Sequence, residues 1–291
     1  MSKKMTGMLQ MAICAVLWSL AGVLIKKISA GPMVIAGIRS LFAAVCTFLY
    51  MKIAKIKLGI NKRVLLGSFF TSATFLLFVS ANKMTDAANA IVLQYTQPIF
   101  ILIFSWLFFK EKLLKKDIAV AFCTLFGVAL FFADNLSGDK MLGNFVAIGA
   151  GASIAIAFMI YEHVTKAERL TGMFFGHLLT AGVGICCFAV NPEVLTGSDV
   201  FYMGILGIFQ LGIAYVFFCL AVDKISGFAC SVIGAIEPLL NPVLVMIFIG
   251  EKPGKFALIG SIVVISAVTV WCMLDAKNNQ TEIDEKEPAV N

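Results

Sequence analysis

Long apolar runs separated by short polar clusters form the dominant pattern of the chain. Each run is about 20 residues long, the length that a helix needs to cross about 30 Å of hydrocarbon. The polar clusters between the runs hold most of the Lys and Arg residues and are too short to fold by themselves. The pattern predicts ten membrane-spanning helices, at about 5–25, 33–51, 64–82, 87–108, 117–134, 143–163, 171–190, 201–222, 227–249 and 256–274.

The composition supports a membrane protein rather than a soluble one. Hydrophobic residues make up 60% of the chain and charged residues only 14%, whereas soluble domains are roughly half apolar and a quarter charged. The net charge of +6 does not indicate nucleic-acid binding, because the basic residues flank the apolar runs. The eight cysteines lie inside apolar runs without CxxC spacing, so they are read as buried apolar side chains rather than metal ligands.

The basic residues also predict the orientation. Ten spans place both termini on one side of the membrane. That side holds 16 of the 22 Lys and Arg residues outside the spans and the other side holds six, while Arg39 lies within span 2. Because cytoplasmic loops carry the basic excess, we expect a multi-pass protein of the cell (plasma or inner) membrane with both termini cytoplasmic. The tail 277–291 is polar and acidic and is expected to be disordered. The first run resembles a signal peptide, but similar runs follow it, so an uncleaved span is expected.

An internal repeat divides the chain. Residues 78–112 match residues 218–252 at a constant offset of 140, and the matched positions include Phe78 with Phe218, Ala81 with Ala221, Pro98 with Pro238, and Glu111-Lys112 with Glu251-Lys252. The repeat predicts two five-helix units, 1–138 and 139–276. Since five is odd, the second unit must cross the membrane in the opposite direction, which is the inverted-repeat architecture of many transporters.

The two matched segments also resemble a known family. QPIFILIFSWLFFKEKL and EPLLNPVLVMIFIGEKP are similar to the paired signature of the EamA-type members of the drug/metabolite transporter (DMT) superfamily. ICAVLWSLAGVLIKK and AGIRSLFAA resemble the first two spans of that family, whereas GAGASIAIAF in span 6 lacks the Trp common in relatives. The resemblance covers nearly the whole chain except the acidic tail. It implies a ten-helix bacterial inner-membrane carrier that exports amino acids, related metabolites or amphiphilic drugs.

Glu237 is the clearest candidate site residue. Counting from the start of span 9 near Gly227 places Glu237 about 15 Å deep, close to the membrane midplane. Gln97, its counterpart in the repeat, and Gln210 of span 8 fall at similar depth. A carboxylate that loses its hydration there could bind a cation or exchange protons. The alternative is a structural Glu that is hydrogen-bonded or paired with a cation.

Three prolines are expected to break helices beside this depth. Pro98, Pro238 and Pro242 have no N–H to donate, so each leaves a backbone carbonyl free in mid-membrane. Such breaks are tolerated where they line a cavity or are covered by neighbouring helices. The polar residues near them share helix faces: Gln94 with Gln97 on span 4, and Gly234 with Glu237 and Asn241 on span 9. These faces are expected to form a polar pocket, with kinks that serve packing alone as the alternative.

The remaining candidates carry charge or aromatic rings. Arg39, about 10 Å from the outer face, is a candidate for binding a substrate carboxylate, for pairing with Glu237, or for snorkelling outward. His177 is a candidate gate or proton relay, or a satisfied bundle histidine. Trp18 and Tyr95 are candidate aromatic walls of the pocket. The Glu-Lys pairs at 111–112 and 251–252 are expected to cap helices and fix turns rather than contact substrate.

These features favour a secondary carrier over an enzyme or a channel. The sequence has no GxxxxGK[ST], HExxH or GxSxG motif, and neither a cofactor nor a metal is expected. An enzyme would need clustered acidic or His residues, and a channel would need a polar stripe through several spans. One carboxylate, one guanidinium and several amides suit a zwitterion, so an amino acid or related metabolite leads and a lipophilic cation is the alternative. The expected partners are that substrate, the lipid bilayer and a coupling H+ or Na+; a homodimer stays open.

Overall fold

The computed structural model describes residues 2–110, 115–133, 140–225, 230, 233–267 and 269–270. Within these ranges the regular structure is entirely helical, and no strand is present. The helices are α1 (Lys3–Ser19), α2 (Ala21–Lys27), α3 (Pro32–Ile53), α4 (Lys62–Met84), α5 (Ala87–Gln94), α6 (Gln97–Phe109), α7 (Lys115–Ala133), α8 (Met141–Glu162), α9 (Lys166–Val190), α10 (Gly197–Ile205), a π-helix (Leu206–Ile213), α11 (Ala214–Val222), α12 (Ile236–Ile249) and α13 (Lys255–Ala267).

Seven stretches of the described chain are long and apolar enough to cross a membrane: Lys3–Lys27, Pro32–Ile53, Lys62–Met84, Ala87–Phe108, Met141–Glu162, Lys166–Val190 and Gly197–Val222. Three shorter apolar helices, Ile118–Leu130, Ile236–Ile249 and Lys255–Ala267, coincide with the other predicted spans. The described residues are therefore all-helical, as predicted, and fit a polytopic membrane protein; seven of the ten predicted spans reach full length within them. The tail 277–291 and the Glu111-Lys112 pair lie outside the described residues.

Helix starts follow local sequence signals. Asn61 caps α4 by accepting a hydrogen bond from the Val64 N–H at 2.9 Å. Thr165 and Glu168 form a reciprocal capping box at the start of α9, and Thr196 and Asp199 form another at α10. Each cap satisfies backbone donors that the first turn of a helix leaves free.

Glycines let the central helices approach closely. α3 packs on α9 and α4 packs on α8, so the interface between the two predicted units runs through the middle of the bundle. A methyl group on Gly37 of α3 would lie 2.5 Å from the Gly184 Cα of α9, which means that the two backbones touch. Small residues at such crossings are the usual basis of helix packing in membranes. Large apolar side chains such as Phe108 and Phe122 stay exposed on the outside, as lipid-facing residues do.

Three spans are interrupted near their middle. The first span breaks at Leu20, between α1 and α2, and the fourth breaks at Tyr95 and Thr96, just before Pro98. The eighth span contains the π-helix. Pro242 lies inside α12 without ending it. The end of the bundle at which α1 begins is called the amino-terminal end below, and the end at which α2 finishes is called the Lys26 end.

Candidate functional site

Glu237 lies in the first turn of α12, directly after the turn at Ala235. Its side chain is partly buried and makes no hydrogen bond or ion pair within the described part of the chain. The side chains of Cys14 and Tyr215 lie close enough for electrostatic interaction with it. The first turn of a helix favours a negative charge, because its free N–H groups point toward it. Among the described residues, Glu237 is thus a carboxylate without an ion-pair or hydrogen-bond partner, placed at a helix start.

The break in span 4 lies beside this carboxylate. α5 packs on α12, and a methyl group on Gly234 would lie 3.6 Å from the Tyr95 hydroxyl oxygen. Gln94 and Gln97 stand on either side of the break and are both partly exposed, while the Gln94 Oε1 atom is buried without a hydrogen bond. The structure thus brings the interrupted part of span 4 next to the start of the helix that carries Glu237.

Asn241 joins α12 to the break in span 1. Its side chain is fully buried, and its amide nitrogen donates to the Ser19 carbonyl oxygen at 2.9 Å. A methyl group on Gly22 would lie 2.7 Å from the Asn241 Oδ1 atom, so glycine is needed at position 22 for this approach. The amide nitrogen satisfies a carbonyl at the end of α1, where the α-helical hydrogen bonds stop.

Aromatic rings cluster beside the break in span 1, which follows Trp18 by two residues. The rings of Trp18 and Tyr215 have centroids 5.2 Å apart, and those of Trp18 and Phe218 are 5.6 Å apart. Tyr215 also meets Phe75 edge to face at 5.5 Å. Tyr215 was not among the residues predicted from the sequence. The sequence signal that could have identified Tyr215 is its polar hydroxyl in the same apolar run as Gln210.

Arg39 also lies close enough to Tyr215 for electrostatic interaction and is fully buried. Its Nη1 donates to the Gln210 Oε1 atom at 3.2 Å and its Nη2 donates to the Phe75 carbonyl at 3.5 Å, while Nε has no acceptor. No carboxylate pairs with Arg39 in the described part of the chain. The pairing with Glu237 that the sequence left open is therefore absent in this state.

His177 packs against the same two aromatic residues, Phe75 and Tyr215. Its ring stacks on Phe75 at 4.9 Å and meets Tyr215 edge to face at 6.2 Å. The side chain is fully buried, and neither ring nitrogen has a hydrogen-bond partner. A buried imidazole without partners is unusual, because polar atoms removed from water are normally hydrogen-bonded.

Comparison with known proteins agrees with this architecture. The chain is 24% identical to an uncharacterized transporter of Clostridium kluyveri, over 82% of this chain and 80% of the relative. It is 24% identical to solute carrier family 35 member G1 of Mus musculus, over 90% and 77%. It is 26% identical to a protein named as a probable amino-acid metabolite efflux pump of Escherichia coli, over 68% and 67%.

A solved crystal structure, described only as that of a protein, has the same fold. It superposes with a TM-score of 0.67 at 17% identity, over 93% of this chain and 98% of that chain. The EamA-like transporter family matches residues 5–133 and 141–272, which is nearly the whole sequence. The chain therefore belongs to the EamA-like transporter family, as its resemblance to the DMT superfamily predicted.

Proposed function

We propose that this membrane transporter is a secondary-active carrier of the inner membrane that exports amino acids or related small metabolites by alternating access. The two halves, 1–138 and 139–276, would act as inverted units that rock about a site near the midplane, with both termini in the cytoplasm. The relative from Escherichia coli, whose name refers to amino-acid metabolite efflux, supports this substrate class.

The observation that carries the proposal is the Glu237 carboxylate, which has no ion pair with any described residue. A charge held inside a membrane bundle is costly, so a carboxylate without a protein cation needs a partner from outside the chain. The ammonium group of a substrate, or a coupling H+ or Na+, would supply that partner. The carboxylate also stands at the start of α12, where the helix N–H groups offset part of the cost of burying its charge.

The opposite charge, like Glu237, lies near Tyr215. Arg39 is a buried guanidinium that pairs with no carboxylate in the described ranges, and Gln210 accepts one of its hydrogen bonds. We propose that a zwitterion binds between the two charges, with its ammonium group toward Glu237 and its carboxylate toward Gln210 and Arg39. The substrate-binding set is then Glu237, Arg39, Gln94, Gln97, Asn241, Gln210, Trp18 and Tyr95, with His177 as a gate or proton relay.

A lipophilic cation is the second candidate substrate. The clustered rings of Trp18, Tyr215 and Phe218 near Glu237 favour it, because aromatic faces attract organic cations. The two candidates differ in their need for Arg39. An amino-acid carrier should lose transport when Arg39 is replaced by Gln, whereas a cation carrier that still folds should keep it.

Glu237→Gln tests the proposed site. The substitution keeps size and hydrogen bonding but removes the charge, so efflux should fall by about tenfold or more, equivalent to ~1.4 kcal/mol of lost stabilisation. Efflux and uptake are measured by a metabolite screen in cells with and without the gene, followed by flux into proteoliposomes. Protein abundance should stay near that of the parent.

Glu162→Gln is the matched control, because Glu162 is an exposed carboxylate at the end of α8. It should leave flux unchanged. A well-folded Glu237→Gln protein that transports like the parent over a range of pH would remove Glu237 from the site. Loss of abundance instead of flux would assign Glu237 a structural role.

A further inference from the structure

A network of charged side chains closes the Lys26 end of the bundle. At the end of α2, the Lys26 Nζ atom donates to the Glu251 Oε1 atom at 3.1 Å and to the Thr85 carbonyl at 2.8 Å. The two charged side chains are only 20% and 18% exposed, although they stand at the mouth of the bundle. Lys26 belongs to the first half of the chain and Glu251 to the second, so their contact joins the two halves.

Further contacts extend this network to neighbouring helices. The second oxygen of Glu251 accepts from the Ala87 N–H, in the first turn of α5, at 3.3 Å. Lys140, at the start of α8, forms an ion pair with Asp86, and Lys83 of α4 donates to the Ile28 carbonyl. Glu251 was expected to cap a helix and fix a turn. It does more, because it holds together the ends of α2, α5 and α12.

A second lysine–carboxylate contact lies at the amino-terminal end. Lys166 lies 140 residues after Lys26, which is the offset of the repeat. Lys166 and Arg169 both approach Asp223, at 3.6 and 3.5 Å. Lys166 and Asp223 are 38% and 34% exposed, so this contact is longer and more open to water than the one at the Lys26 end. Asp223 corresponds to Lys83 in the repeat rather than to the counterpart of Glu251, and Lys166 and Asp223 both belong to the second half. The contact at the Lys26 end is thus the tighter of the two, and it joins the two halves.

We propose that the Lys26–Glu251 ion pair is a latch that keeps the Lys26 end closed and must break each time the site opens toward that side. The latch rests on the proposed alternating access. An ion pair suits this role because its geometry can be lost without leaving a cavity, and each charged group can be rehydrated when the mouth opens.

The position of Glu251 also suits the role. It lies in the loop after α12, outside the membrane-spanning helices, and burial raises the pKa of its carboxyl, with the neighbouring Asp86 acting in the same direction and Lys26 against it. Burial therefore opposes the charged form of the Glu251 carboxyl, whereas the Lys26 ammonium favours it. The ion pair that closes the Lys26 end thus depends on the charge of Lys26. Removal of either charge should loosen the end.

Thiol accessibility tests the latch without a substrate. Cys14, a fully buried residue near Glu237, is retained while the other cysteines are replaced, and a membrane-impermeant maleimide is applied to intact cells and, separately, to inverted vesicles. Glu251→Gln and Lys26→Gln should each raise the labelling rate several-fold from one side of the membrane only. The exchanged pair, Lys26→Glu with Glu251→Lys, should return the rate to that of the parent.

Lys252→Gln is the matched control, since Lys252 is the exposed neighbour of Glu251 and has no ion pair in the described part of the chain. It should label like the parent. A second reporter, Gln97→Cys in a cysteine-free chain, covers the case in which Cys14 stays packed in every variant. Unchanged labelling of both reporters in folded Glu251→Gln protein would overturn the latch, as would an exchanged pair that labels as fast as the single variants. Because no flux is measured, this failure would leave the proposed carrier and its Glu237 site untouched.

Discussion

Single polar residues inside the apolar runs are the part of the site that the sequence predicts best. A charge such as Glu237 or Arg39 is conspicuous in a run of apolar letters, and its cost in hydrocarbon makes it a functional candidate at once. Its partners are harder to predict, because they come from other helices. The contact of Arg39 with Gln210 depends on how α3 crosses the π-helix, a geometry that no local pattern contains.

Gln210→Leu should lower stability through Arg39. The Nη1 atom of Arg39 would lose its acceptor and stay buried, which costs about 1–3 kcal/mol for an unsatisfied group. Thermal or denaturant unfolding of the purified protein in detergent measures the loss. Gln97→Leu is the control, because Gln97 is partly exposed and makes no hydrogen bond in the described part, so its effect should stay within about 0.5 kcal/mol. Equal losses in both variants would contradict a buried Arg39–Gln210 contact.

At the scale of helices, the interruptions show where sequence reasoning works and where it stops. The break in span 4 was predicted, because a proline removes a backbone donor and its position can be read directly. The π-helix was not predicted. It stands where Gly212 meets Cys46 of α3, with a methyl group on Gly212 expected 2.7 Å from the Cys46 Cβ atom. That contact belongs to the assembled bundle rather than to the local sequence of span 8.

Glycine substitutions in α9 test the packing of the two halves. Gly184→Ala would place a methyl group against the Gly37 backbone of α3, so the helices must separate, at a cost of about 1–3 kcal/mol. Gly182→Ala, two residues earlier, meets nothing within 4 Å and should be neutral or stabilising by up to about 1 kcal/mol. Unfolding of the two purified variants measures the difference. Similar stabilities for the two variants would show that α3 and α9 do not touch in this way.

At the scale of the whole molecule, hydropathy predicts the all-helical membrane architecture well, because long apolar runs have few alternatives in a bilayer. The lengths of individual spans were predicted less well. The first and fourth spans are each divided into two shorter helices at their breaks. The arrangement of the two halves could not be predicted from hydropathy, because it depends on the contacts between α3, α4, α8 and α9.

Reporter fusions test the proposed orientation. Fusions after Lys116 and in the tail should report the cytoplasm, while fusions near Asp139 or Asp199 should report the other side. The positive-inside distribution of Lys and Arg is the physical reason. Paired reporters, one active only in the cytoplasm and one only outside, serve as mutual controls. A tail outside the cytoplasm would contradict the even number of spans, and with it the inversion of the two halves.

The glycine contacts imply that the interface between the halves differs in stiffness along its length. Near the Lys26 end, Gly37 and Gly184 meet backbone to backbone, and no rotamer change can alter their spacing. Toward the amino-terminal end, the corresponding contact joins Gly67 to the Tyr161 ring, which can turn aside. In the proposed carrier, the amino-terminal contact could adapt to a rotation of the halves through the Tyr161 rotamer. The Gly37–Gly184 contact could adapt only if the two backbones slid or separated.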